Sequence, residues 1–382
     1  MSGAGPAGAV ASIVLARGGA RVLLLDRARF PREKLCGDTI NPGTVALLRR
    51  LGLDAAFEPA GIAVDGMIVS GEHGISVRAR YPDGTHGYAL LRLDLDAALA
   101  REAVAAGVRL EEGVVVRGPL VDASDSGLRV RGVIVGGRDG RDLRVPAPLV
   151  VAADGRRSRL AVPLGLARHP RNPRRWAIGA YFDGVDGMSS FGEMHIRRGR
   201  YLGLARVPSN LTNVCLVVPR RAGLDDPARL LRLEIDREPR LRERFLSARM
   251  IGPPVVLGPL AVDAACAGVP GLLLAGDAAG FIDPMTGDGL RFAVRGGELA
   301  AACALAAFAG KPGAPHARLE WLRRREFGAK WRFNRTLRRL VGSGPSIEVA
   351  GLIAAAAPWT LRRLIGFAGD VPKPGQAPFP KP

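Results

Sequence analysis

Apolar residues near the N-terminus recur at helical spacing. Ala7, Val10, Ala11, Val14 and Leu15 share one face of a segment running from 8 to 17, and Gly18-Gly19 supplies its stop. The next apolar run, 21–25, is continuous rather than periodic. It reads as a buried strand, and Asp26 ends it. A second helix is predicted to begin at Asn41-Pro42, a cap followed by a first-turn proline, and to stop at Gly52. A third covers 94–106. Short alternating segments at 64–81, 108–116 and 128–135 surround it, and the apolar run 148–153 leads into Asp154-Gly155.

From 176 to about 218 the pattern changes. WAIGAYF, GEMHI, RYLGLARV and NVCLVV follow one another with little helix between them, which predicts an antiparallel sheet. The chain then returns to a short apolar strand, 272–275, that stops at Gly276-Asp277. Residues 292–308 predict an Ala-rich helix. From 316 the chain is helical and basic, and its last dozen residues are Pro-rich. No internal repeat is visible.

Composition narrows the class. A chain of 382 residues, 47% hydrophobic and without low-complexity tracts, is globular and long enough for two or three domains, or two interleaved ones. Cys36, Cys215, Cys266 and Cys303 are too scattered for a disulfide framework or a zinc site, which suits a reducing cytoplasm. The five histidines form no metal spacing and read as surface or strand residues, so no metal is expected. The N-terminus lacks a signal-peptide pattern, and no apolar run reaches the roughly 20 residues of a membrane-spanning helix. The net charge of +19 is almost all arginine, as a GC-rich coding bias would give. With aromatics at 5% and no basic–aromatic interleaving of the stacking kind, nucleic acid is not an expected partner.

Three stretches carry candidate chemistry. Gly3, Gly5 and Gly8 in GAGPAG have the spacing of a dinucleotide fingerprint. The first glycine makes a tight turn, the second lets the backbone approach a pyrophosphate, and the third allows close helix packing. A helix N-terminus there favours anions. Asp26 stands near the place of an acid that binds ribose hydroxyls. Asp154, in VVAADGRRS, and Asp277, in LLLAGDAAGFIDPMTGDGL, each follow a buried apolar run, and open parallel sheets bind ligands at such strand ends.

GAGPAG, the mid-chain DG and GDAAGFIDPMTGDG together resemble the landmarks of FAD-dependent oxidoreductases with the p-hydroxybenzoate hydroxylase-like fold, the class A flavoprotein monooxygenase superfamily. FPREKLCGDTINPGTVALLRRLGL is similar to the geranylgeranyl reductase-related branch. The resemblance covers residues 1–310. It implies an α/β fold in which an FAD-binding, Rossmann-like parallel sheet is interleaved with an antiparallel-sheet substrate domain and followed by a C-terminal helical segment. The expected divisions are 1–60, 92–165 and 255–310 for FAD, 61–91 and 166–254 for substrate, 311–370 for the helical segment and 371–382 for a tail.

The resemblance also implies roles. Gly3, Gly5, Pro6, Ala7 and Gly8 would hold the FAD pyrophosphate, and Asp26 with Arg27 the adenosine ribose. Arg92 would approach the phosphates, unless it is a surface residue at a helix start. Asp154 and Gly155 would lie beside the pyrophosphate, near the NAD(P)H path of hydroxylases. Gly276 and Asp277 would meet the ribityl chain. Pro284, Gly287, Gly289 and Leu290 would present backbone N–H groups to the flavin pyrimidine edge, with the positive end of the next helix behind them. Cys36 would lie near the flavin, as a catalytic thiol or as a small buried residue.

Departures from the family pattern are equally definite. The first strand before GAGPAG is missing, which would expose two strand edges and points to a mis-set start or a truncation. The arginine the family places near Ala161 is absent, with Arg156, Arg157 or Arg159 as substitutes. The tryptophan-rich halogenase motif is also absent. The leading expectation is an FAD enzyme that takes electrons from NAD(P)H and reduces a double bond of a small apolar, isoprenoid-like substrate. An oxygen-using hydroxylase and a non-catalytic remnant are the alternatives. The basic, aromatic-bearing segment 316–370 is either a helical cap or a peripheral contact with the inner face of a membrane.

Overall fold

The structure is a computed structural model and describes residues 1–34, 37–72, 74–124, 127–137, 141–171, 174–219, 224–342 and 358–371. The first half contains helix α1 (Pro6–Arg17), strand β1 (Leu23–Asp26), helix α2 (Pro42–Arg50), the hairpin β2 (Gly66–Ser70) and β3 (Ser76–Arg80), helix α3 (Arg92–Ala105) and strand β4 (Arg109–Glu112). A meander of β5 (Val116–Ser124), β6 (Gly127–Gly136) and β7 (Asp142–Pro146) leads to β8 (Val150–Ala152). The second half contains β9 (Arg175–Asp183), β10 (Phe191–Arg197), β11 (Arg200–Arg206), β12 (Thr212–Pro219), helix α4 (Pro227–Asp236), β13 (Arg249–Leu257) and β14 (Leu272–Leu274). Helices α5 (Gly289–Phe308), α6 (Pro315–Gly342) and α7 (Pro358–Ala368) close the described chain.

Strand β1 pairs in parallel with β4, and β8 in parallel with β14. Three residues join these pairs. Ser2 bridges Leu25 on one side and Ala152 on the other, both in parallel. The Leu25 amide donates to the Met1 carbonyl at 3.0 Å and the Ala153 amide to the Ser2 carbonyl at 2.8 Å. The expected pair of open edges is therefore corrected at the end nearest the Gly-rich loop, where Met1–Gly3 fills the central slot. The Met1 ammonium donates to the Leu23 carbonyl at 2.8 Å, and burial pushes its pKa down to about 6.

The second sheet has seven strands in the order β13-β9-β12-β11-β10-β2-β3. It is antiparallel except for the parallel pair β10–β2. Strand alternation gives it two unlike faces. Ile178, Phe182, Leu204 and Leu216 on the outer face pack with Leu231 and Ile235 of α4. The inner face, through Ala177, Tyr201 and Val217, packs with Met285 of the 284–290 loop and Leu337 of α6.

Helices α1 and α5 touch backbone to side. A Cβ on Gly297 would collide with the Ala7 carbonyl, so only glycine permits the approach. The basic α6 is not simply a solvated face. Its Arg323 and Lys330 point inward. Arg323 donates to the Ala279 carbonyl at 2.8 Å and Lys330 to the Asp288 carboxylate at 3.0 Å. Phe327, between them, is buried against Phe292 of α5.

Candidate functional site

The site is built at the carboxyl ends of the parallel strands. Gly3 has φ +94°, and a Cβ on it would strike the Ala153 carbonyl; a Cβ on Gly8 would strike the Gly3 carbonyl. These two glycines let the chain cross over itself. Gly5 differs. It caps α1 with extended backbone and no side-chain cap. The atom nearest its absent Cβ is Nη2 of Arg32, 3.5 Å away. The first-turn amides of α1 thus stay open toward a guanidinium, the arrangement an anionic diphosphate requires. Pro6 and Ala7 shape that first turn and are buried.

The three strand-end acids converge on this loop. Asp26 accepts from the Ala4 amide at 2.7 Å and the Ala28 amide at 2.8 Å, so it clamps the loop while keeping lone pairs for hydroxyl donors. Asp154 accepts from the Arg159 amide at 2.8 Å through Oδ2, and its Oδ1 is buried without a partner. Burial raises its pKa, against hydrogen bonds from Ser158 and the Arg159 amide. Gly155 follows at φ +82°. Gly276, at φ +59°, packs so closely on α1 that its Cβ would lie 2.9 Å from that of Ala7, and Asp277 follows it half-buried. Arg27, by contrast, is exposed.

Arg92 is not a surface residue. It is buried and grips Asp96 through two nitrogens at 2.8–3.0 Å, while Arg32 reaches the same carboxylate at 2.9 Å. Lys34 is solvent-accessible yet walled in by protein. That crowding and the Arg92 charge push its ammonium below the ordinary range, with Asp277 and Asp96 opposing. One cleft therefore brings together Gly5, Arg32, Lys34, Arg92 and Asp277.

The loop before α5 is held from both sides. Asp283 accepts from the Tyr201 hydroxyl at 2.6 Å, from Arg175 at 3.2 Å and from the Met285 amide at 3.1 Å. Pro284 starts a short turn, Gly287 takes the left-handed conformation at φ +66°, Gly289 opens α5, and Leu290 is buried beneath it. Asp288 is fixed by Lys330 and by Asn334 at 3.2 Å.

Opposite lies Asp38, which sequence patterning passed over. It accepts from the Tyr181 hydroxyl at 2.6 Å, the Asn213 amide at 2.7 Å and the Arg92 backbone amide at 3.3 Å. Burial raises its pKa to about 6, against those donors and the Arg92 charge. Cys36 lies outside the described residues. Of the three substitutes for an arginine near Ala161, Arg156 donates to the Pro259 carbonyl, Arg157 donates to the Gly258 carbonyl, and Arg159 is exposed. His195 is a strand residue, in β10, and is buried between Ser70 at 2.8 Å and Glu193 at 3.1 Å. Among the described residues no cluster of His, Cys, Asp and Glu has metal-binding geometry.

The open helix N-terminus, the cleft guanidinium and the unpartnered Asp154 oxygen fit an FAD molecule laid across the strand ends. Residues 2–190 match the family model of the FAD binding domain. Menaquinone reductase from Mycobacterium tuberculosis (strain CDC 1551 / Oshkosh) is 40% identical over 111 residues, which is 28% of this chain and 27% of that protein, so about a quarter of the curated relative's length is matched. The myxobacterial chondrochloren halogenase CndH superposes with a TM-score of 0.80 at 22% identity, over 98% of this chain and 97% of that one. A geranylgeranyl bacteriochlorophyll reductase-like protein from Thermoplasma acidophilum gives 0.74 at 21% identity, over 95% and 97%. These two likenesses establish the fold, and the sequence match to an FAD binding domain covers Gly5, Arg32, Lys34 and Arg92 of the cleft. Residues 2–190 of the chain thus belong to the FAD binding domain family, and the whole chain has the fold of these flavin-dependent neighbours.

Proposed function

We propose that this flavoprotein reduces a carbon–carbon double bond of an apolar, isoprenoid-like substrate with electrons from NAD(P)H. The observation that carries the reading is the inner face of the seven-stranded sheet. Val69, Met194, Ile196, Gly203 and Cys215 lie on that face and are only half-buried. Met194, Ile196 and Cys215 join Met285 and Phe281 of the loop before α5 in one apolar cluster, and we read this half-buried strip as the lining of a substrate trough. A hydrocarbon chain gains about 0.8 kcal/mol for each methylene it buries in such a lining. The likeness to a mycobacterial menaquinone reductase and to a geranylgeranyl bacteriochlorophyll reductase-like protein of Thermoplasma favours the same substrate class.

Bound FAD would supply a hydride to the double bond. In this reading Gly3, Gly5, Pro6, Ala7 and Gly8 hold the pyrophosphate, with Arg32 and Arg92 setting the positive potential of the cleft. Asp26 and Arg27 serve the adenosine side, Asp154 and Gly155 the middle, and Gly276 and Asp277 the ribityl chain. Pro284, Gly287, Gly289 and Leu290 place backbone amides and the positive end of α5 at the pyrimidine edge, where a reduced flavin carries negative charge. The clasp of Asp283 with Tyr201 and Arg175 fixes that loop against the trough.

The deciding experiment incubates the FAD-loaded protein anaerobically with NADPH and a short-tailed menaquinone, followed by mass analysis. A product that remains two hydrogens heavier after its quinone ring has been reoxidised supports the reading. An oxygenated product formed only in air supports a hydroxylase instead. A protein that remains colourless after FAD is added supports a non-catalytic remnant.

A membrane surface is the proposed source of the substrate. No helix of the described residues is long and apolar enough to cross a bilayer. Trp359, Leu364 and Phe367 of α7 are exposed, and Arg363 stacks on Trp359 at 5.4 Å. An amphipathic, basic helix of this kind favours anionic lipid. Co-flotation with phosphatidylglycerol vesicles, weakened by Trp359→Ala and by salt, is the expected result. Equal flotation with neutral vesicles counts against it.

A further inference from the structure

We propose that Asp38 is the proton-holding residue of the substrate trough, acting through the Tyr181 hydroxyl. The proposal rests on the reductase reading above and deepens it. Asp38 is 1% exposed and belongs to the stretch that enters the FAD-binding half, whereas Tyr181 and Asn213 belong to β9 and β12 of the other sheet. Tyr181 and Asn213 are cross-strand partners, and Cys215, two residues beyond Asn213 on the same face, lines the trough. The carboxyl therefore stands at the end of the trough opposite the Asp283–Tyr201 clasp. Asp38 also holds a left-handed backbone conformation, φ +33°, which a non-glycine residue adopts at a cost.

The hydrogen bonds are unequal. Oδ2 accepts two short bonds, from the Tyr181 hydroxyl and the Asn213 amide, while Oδ1 has only the 3.3 Å contact from the Arg92 amide. The groups that act on the carboxyl are the Tyr181 phenol, the neutral Asn213 amide and the Arg92 cation, which is itself tied to Asp96. Burial outweighs all three and brings the pKa to about 6, close to the working range of a general acid.

Saturation of a double bond needs a hydride on one carbon and a proton on the other. FAD, when bound and reduced by a nicotinamide donor, would supply the hydride and its electron pair. When Asp38 is protonated, the 2.6 Å contact reverses. Asp38 donates to the Tyr181 oxygen, and the Tyr181 hydrogen is released toward the trough. The Tyr181 proton passes to carbon, the Asp38 proton restores the phenol, and the carboxylate left behind takes a proton from solvent. Atoms and charge balance with no further oxidant or reductant.

The test uses FAD-loaded wild type, Asp38→Asn and Tyr181→Phe. Reduction by NADPH and the subsequent reoxidation by substrate are timed separately across pH 5–8. Asp38→Asn is expected to slow the substrate step about 10²–10⁴-fold, to leave reduction by NADPH within about twofold, and to abolish the fall in rate above pH 6. Tyr181→Phe, which keeps the ring in place, is expected to slow the same step. A substrate step in Asp38→Asn that keeps the wild-type rate and pH profile overturns the proposal. Infrared difference spectra of wild type minus Asp38→Asn supply a reading independent of turnover. A protonated-carboxyl band that titrates near pH 6 is expected, and a carboxylate that stays ionised at pH 5 overturns the proposal. If wild type shows that band yet reduces no double bond, the reductase reading fails, and with it Asp38's role in the substrate step, while its titration stands.

Discussion

The Gly3 carbonyl occupies the place where a side chain on Gly8 would begin. The turn into α1 and the first turn of α1 are thus one object, held together by the absence of a single carbon. Gly8→Ala must push the two apart. The expected cost is about 4 kcal/mol, at the upper end for a point substitution. Thermal unfolding with and without added FAD checks this, and wild-type stability together with wild-type FAD uptake would contradict it.

Arg32 stands over Gly5 and shares Asp96 with Arg92. Its guanidinium is the cation best placed to meet a diphosphate on the open helix end. Arg32→Ala is expected to weaken FAD binding tenfold to a hundredfold, or about 1.5–3 kcal/mol for a hydrogen bond to a charged group. Fluorescence titration of the apoprotein with FAD measures it. Arg29→Ala, outside the Arg32–Asp96–Arg92 cluster, serves as the control.

Asp38 makes stability depend on pH in an unusual direction. Its carboxyl is raised from 3.8 to about 6, so the folded state holds the proton more tightly than the unfolded chain. The associated stability is present below pH 4 and is lost as pH rises through 6. About 3 kcal/mol is at stake. Asp38→Asn lacks this ionisation. Its stability relative to wild type is therefore expected to improve between pH 4 and pH 7 in denaturant melts, and a pH-independent difference would refute the assignment.

Glu193 behaves in the opposite way. Burial alone would raise its carboxyl, but hydrogen bonds from His195 and Arg244, together with the Arg244 charge, hold it at about 2. Arg244 reaches both of its oxygens, at 2.8 and 2.9 Å. The stabilisation is present above pH 4.5 and fades as pH falls toward 2. Glu193→Gln is expected to cost about 3 kcal/mol at pH 7, as breaking a buried ion pair does, and less in acid. Because the network lies on the outer face of the sheet, FAD affinity should be unchanged.

What sequence could reveal followed from local chemistry. Gly3, Gly5 and Gly8 announce themselves by spacing, and Asp26 and Asp277 by standing at the ends of apolar runs. The antiparallel sheet was visible in alternation. Asp38 and Asp283 were not, because what distinguishes them is their partners. Tyr181 lies 143 residues from Asp38, and Tyr201 lies 82 residues before Asp283. No local pattern marks a carboxylate whose hydrogen-bond donor arrives from another sheet. Ser70, Glu193 and His195 were hidden for the same reason, since β2 joins β10 only in the folded chain. The buried basic residues of α6 were obscured by composition, because in a chain so rich in arginine an inward-pointing cation looks like any other.

The Asp38–Tyr181 and Asp283–Tyr201 contacts rivet the two halves of the molecule at opposite corners of one sheet. A body pinned at two corners does not open like a jaw. On the proposed reductase reading, substrates would be sorted by threading into a fixed mould, so enlarging Gly203, whose Cβ would meet only ordinary contacts, should change which chain lengths enter rather than how fast an accepted one reacts.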